Sequence, residues 1–241
     1  MRSIRITLGA LAGGALLLAA SALPAAAASH VIQPGSSITM GGSYCTLNWI
    51  YNGAGSRSGT VYAGTAGHCV TGRGQKISLA SGSLGSAVET IGAVAYKSKA
   101  LDFALIRLYS SVRSQVNPAM AGHPAIPSGV ASTAETNVGD VCQFSGHGVA
   151  TDATTPTQQQ RVGVLVSNTR AQHYCDGVVT PGDSGGPVGD VTAGNQALGI
   201  VNTVGVATDG QLPAVGEGGV SLPGLLADAR AHGYPVHLRT V

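Results

Sequence analysis

The chain has 241 residues, of which 44% are hydrophobic and only 10% charged, with 36 glycines and a formal charge of +2. So few charges argue against long charged surface helices. Such glycine richness suits an all-β protein of short strands and tight turns.

The first segment, "MRSIRITLGALAGGALLLAASALPAAAASH", places Arg2 and Arg5 before an apolar stretch from Ile6 to Leu23 and a run of small residues from Ala25 to Ala28. This is the layout of a secretory leader cleaved after about Ala27 or Ala28, with a retained anchor as the alternative. We expect residues 1–28 as leader, and residues 29–241 as an extracellular mature protein without a stable membrane anchor. Losing the leader's two arginines brings the formal charge to zero, so nothing points to nucleic acid. An oxidising compartment favours two disulfides among Cys45, Cys69, Cys142 and Cys175, whose spacing has no C-x-x-C pair; three pairings are open.

Beyond the leader, "SYCTLNWIY", "GTVYAGTAGHCV", "KISLAS" and "ETIGAVAY" read as strands, and "DVCQFSG", "QQRVGVLVSN" and "QALGIVNTVGV" continue the style in the second half. Three prolines in "NPAMAGHPAIPSGVAST" mark a connection near 121–132, dividing the chain into halves of about 29–125 and 126–241. Near the C-terminus, Ser221, Pro223 and Gly233 bracket "LLADARAH" as a short helix with Ser221 as its cap.

The chemistry concentrates in "TPGDSGGPVG". A serine hydroxyl is a weak nucleophile and needs a base and donors for the oxyanion formed on attack. Glycines around Ser184 would let the amides of Gly182 and Ser184 point together and a substrate approach the backbone. Among seven histidines, His68 follows an apolar run and adjoins Cys69, whereas the others occupy polar, loop-like or terminal segments. Asp102 interrupts the apolar "ALDFALIRL"; a buried carboxylate demands a partner, although a residue beginning the strand at its exposed end would also fit. Asp183 reads as a carboxylate that shapes the serine's loop.

"TAGHC", "DFALI" and "GDSGGP", in the order His, Asp, Ser, resemble the three signature blocks of the chymotrypsin-like serine peptidases, of the secreted bacterial type. The resemblance implies two packed six-stranded antiparallel β-barrels with a short C-terminal helix. It implies Ser184 as nucleophile, His68 as general base, Asp102 as its orienting carboxylate, and Gly182 and Ser184 as backbone oxyanion donors. It also implies the pairs Cys45–Cys69 and Cys142–Cys175, and a specificity pocket near Val178, Asn202, Thr203, Val204 and Gly205. That pocket would suit a small or medium apolar side chain. The animal enzymes' "IVGG" start is absent, with only "ITMGGSYC" near its place, so Asp183 should find a different partner.

The expected activity is serine endopeptidase cleavage of a peptide or protein substrate by a monomer needing no cofactor and no metal. A catalytically silent peptide-binding homologue and an esterase using the same triad are the alternatives.

Overall fold

The computed structural model describes residues 30–241 except 151–158, 170 and 209–212, and the backbone alone at 159, 160, 204–208 and 213–215. The leader expectation lies outside the described residues.

The expected runs form strands, with one subdivision: "SYCTLNWIY" splits into β2 (Ser43–Thr46) and β3 (Ile50–Gly53). These join β1 (Ser37–Met40), β4 (Val61–Ala66), β5 (Lys76–Ala80), β6 (Ala87–Ser98) and β7 (Phe103–Leu108). The last strand of the chain, β14 (Val236–Leu238), completes an eight-stranded sheet in the order β14-β3-β4-β7-β6-β5-β1-β2. The second half supplies β8 (Val141–Gly146), β9 (Gln159–Asn168), β10 (Gln172–Gly177), β11 (Pro187–Asp190), β12 (Gln196–Thr208) and β13 (Pro213–Ser221). They close into a six-stranded barrel in the order β10-β13-β12-β11-β8-β9. Thus the second half forms the expected six-stranded barrel, while in place of a second six-stranded barrel the first half supplies seven strands of an eight-stranded sheet and β14 the eighth.

All pairings between the named strands are antiparallel. Inside the first sheet, Ile38, Leu47, Ile77, Ile91 and Ile106 form one core; inside the barrel, Phe144, Leu165, Val188 and Leu198 form another. A third cluster joins the halves, with Trp49, Tyr51, Tyr62, Phe103 and Leu105 of the first sheet packed with Ile200 and Val220 of the barrel. The Trp49 indole Nε1 donates across this junction to Gly199 O at 2.9 Å. Each such side chain contributes about 1.5–3 kcal/mol when buried, so the junction is held by apolar area rather than by charge.

The C-terminal helix α1 (Leu222–Ala231) buries Leu222, Leu225 and Ala229 in the same cluster. Ser221 occupies the cap position, yet its hydroxyl donates to Asn168 Oδ1 and Thr169 O instead of capping the helix. The backbone turns away through Gly233 at φ +80°, which a glycine adopts without steric cost.

Candidate active site

His68 stands on a short 3-10 turn, Gly67–Cys69, directly after β4. Asp102 closes the turn from β6 to β7 and stands just before Phe103, with its side chain 36% exposed, so it begins the strand at an accessible end rather than interrupting a buried one. Its φ of +47° is a conformation costing about 1–3 kcal/mol for a residue with a Cβ, kept only where surrounding contacts fix it.

Those contacts are present. His68 Nδ1 donates to Asp102 Oδ2 at 2.7 Å and the His68 backbone amide donates to Oδ1 at 2.6 Å. From β12, Asn202 Nδ2 donates to Asp102 O at 2.7 Å and to Oδ2 at 3.0 Å, while Asn202 Oδ1 accepts from Val220 N. A Cβ on Gly67 would come within 3.0 Å of Asp102 Oδ1, so the glycine permits this close approach. Burial pushes the Asp102 carboxyl up, but the hydrogen bonds from His68 and Asn202 and the charge of the imidazole together hold it below its ordinary value. The Asp102 hydrogen bond raises His68, and desolvation and the ammonium of Lys97 oppose the rise.

Ser184 reaches this pair through backbone packing. Its carbonyl accepts from Thr46 N at 2.9 Å and lies 3.7 Å from the sulfur of Cys69, the neighbour of His68. At Gly185, φ is +85° and a Cβ would fall 2.3 Å from Thr65 Oγ1 and 2.5 Å from Ala66 N, so only a glycine lets the turn lie against β4. The Ser184 hydroxyl makes no hydrogen bond with the described residues, His68 included. Gly182, at φ +105°, accepts at its carbonyl from Thr46 Oγ1 at 2.8 Å. Among the described residues, neither the Gly182 nor the Ser184 amide has an acceptor, whereas the intervening Asp183 amide donates to Thr180 O and the following Gly185 amide to Val201 O.

Asp183 is buried and carries a partner that the sequence did not reveal. Arg161 of β9 grips it with two parallel bonds, Nη1 to Oδ2 and Nη2 to Oδ1, and a third bond comes from Thr180 N at 2.8 Å. Arg161 Nη1 also donates to Val178 O at 3.1 Å, tying the loop before the serine to the same guanidinium. A charged residue set in the alternating "QQRVGVLVSN" was the available signal.

Both cystines form as the resemblance implied, Cys45–Cys69 and Cys142–Cys175. The sulfurs nearest His68 are bonded to each other, which removes Cys45 and Cys69 as metal ligands.

The expected pocket residues separate. Val178 is exposed on the loop before Ser184, and Thr203 borders a cavity of about 410 Å³ beside Asp102, shared with Leu101, His173, Tyr174 and Asn202. Val204 and Gly205 lie on β12, with side chains outside the described set. His173 corrects the reading that grouped it with polar or terminal histidines: it is fully buried on β10, with Nε2 3.0 Å from Glu217 Oε1 but not aligned for a hydrogen bond. Burial raises the Glu217 carboxyl, against the opposing influence of His173.

The sequence model of the trypsin family matches residues 32–217, well over half of the chain. The chain belongs to the trypsin family. No curated protein sequence matches it. Among solved structures, it is similar to Thermobifida fusca protease A at 20% identity and a TM-score of 0.61, covering 88% of this chain and 100% of that one. It is also similar to the Nocardiopsis protease, at 20% identity and a TM-score of 0.58 over 87% and 99% of the two chains. Cellulomonas bogoriensis chymotrypsin matches at 21% identity and a TM-score of 0.56 over 87% and 100%. At such identities the likeness is one of fold, and this trypsin-family chain keeps that fold.

Proposed function

We propose that this trypsin-family protein is a secreted serine endopeptidase. The observation that carries the reading is that the amides of Gly182 and of Ser184 itself have no acceptor among the described residues, in the turn beside a His68–Asp102 pair. In this reading Ser184 Oγ attacks the scissile carbonyl while His68 Nε2 takes its proton. The carbonyl oxygen, now negative, is received by the two amides, and His68 returns the proton to the leaving amine as the acyl-enzyme forms. Water then repeats the sequence and releases the acid.

Asp102 holds the imidazole by Nδ1, leaving Nε2 for the reaction and stabilising the imidazolium. Asn202 fixes Asp102 in turn. The leader pattern and the two cystines support export. The direct test treats the purified mature protein and its Ser184→Ala variant with a fluorophosphonate probe and then a peptide library. Covalent labelling absent from the variant, with peptide-bond cleavage, is expected; a folded wild type that neither labels nor cleaves would overturn the assignment.

A further inference from the structure

A second cavity, of about 340 Å³, is built from the segment that follows His68 in the chain and from the end of β6 before Asp102, and its charged lining is of one sign. Thr71, Gly72, Arg73, Ala95, Tyr96, Lys97, Lys99 and Tyr234 line it. Arg57 stacks on the Tyr234 ring, with its guanidinium carbon 4.3 Å from the centroid. Four of the eleven lysines and arginines that follow the leader therefore gather here, although the formal charge of that part of the chain is zero.

The cations are not balanced locally. Lys97 Nζ donates to Val70 O at 2.6 Å, a neutral acceptor two residues beyond His68. Arg73 and Lys99 make no hydrogen bond or ion pair among the described residues, and both are exposed. No carboxylate is in the lining, and Asp228 of α1 is bound by the Tyr96 hydroxyl and faced by His232. Tyr96 and Tyr234 stack with centroids 5.2 Å apart and form an aromatic floor.

We infer that this cavity is a subsite for an acidic side chain of the polypeptide substrate, received by Arg73 and Lys99 over the two tyrosine rings. The inference rests on the peptidase reading and adds a substrate preference to it. Oriented ammonium and guanidinium groups recognise a carboxylate at modest energy, steer encounter, and lose effect in salt.

The test uses the mature Ser184→Ala protein, so binding is read without turnover. A labelled neutral peptide is varied by placing one glutamate at successive positions, with glutamine at the same position as control, and binding is followed by anisotropy. One glutamate position should bind about three- to tenfold more tightly than its glutamine control. Arg73→Gln with Lys99→Gln should erase that difference, as should about 0.5 M salt. In the otherwise wild-type background, the same double variant should keep the wild-type rate of fluorophosphonate labelling, which separates loss of the subsite from loss of the nucleophile. No preferred glutamate position would overturn the inference. So would a preference surviving in the double variant, or tightening that follows total charge regardless of position.

Discussion

Replacing Arg161 by methionine removes the cation from a pair whose Arg161 and Asp183 side chains are 10% and 2% exposed. The parallel bonds to both carboxylate oxygens disappear, leaving Thr180 N as the main remaining donor and Asp183 as an uncompensated buried charge. Breaking a buried pair by deleting one partner costs about 3–5 kcal/mol. Arg161 Nε is already unpaired and the guanidinium remains slightly accessible, which places the expected loss near the lower end, about 3 kcal/mol. With a urea slope of about 3 kcal/mol/M, the midpoint should move down by about 1 M. The same guanidinium holds Val178 O, so the turn from Val178 to Ser184 should lose its shape and fluorophosphonate labelling should slow at urea concentrations where the protein is still folded. Adding Asp183→Asn to Arg161→Met should recover part of the stability, because the orphaned charge is gone. A midpoint shift below about 0.2 M for the single variant, or no recovery in the double, would refute the role assigned to this pair.

Peptidase activity should fall as pH drops through the titration of His68, at a value above the ordinary histidine of about 6.5, because the Asp102 hydrogen bond raises it. Asp102→Asn should lower the maximal rate and move that fall to lower pH; an unchanged midpoint in the kcat/KM profile would contradict the cause given. For stability the signs oppose: the raised His68 contributes below the ordinary histidine value and is lost as pH rises through its folded value. The lowered Asp102 contributes above the ordinary carboxylate value and is lost as pH falls through its own. Asn202→Ala should slow labelling by about tenfold while leaving the unfolding free energy from urea titration within about 1 kcal/mol, since the group orients Asp102 rather than filling a core; labelling at the wild-type rate would speak against that function. Replacing Cys45 and Cys69 together by serine, which opens a bond across 24 residues and leaves Cys142–Cys175 intact, should cost about 3 kcal/mol in thermal unfolding and slow labelling through movement of His68.

What was legible in the sequence was whatever local composition encodes. The β-branched runs formed strands, Ser221, Pro223 and Gly233 bracketed the helix, and the blocks around His68, Asp102 and Ser184 lay where the fold brings them together. What was not legible depended on partners far along the chain. β13 contains Gly216, Gly218 and Gly219 and lacks the usual strand signal; the first and last of these are small because Tyr174 and His173 of β10 lie against them. Asn202 lines a cavity with Thr203, but that its side chain also reaches Asp102, a hundred residues earlier, no local pattern reports. Arg161 is one charge in a strand until Asp183 packs beside it, and the burial of His173 follows from its place inside a closed barrel, which no local period reports.

The pairing of Val236, His237 and Leu238 with Gly53, Asn52 and Tyr51 makes the first sheet depend on a segment from far along the chain. Until that segment returns, β3 is an open edge with unpaired amides and carbonyls, available to any other extended chain. A chain cut before Val236 would keep that edge open and be an aggregation hazard in spite of its other strands.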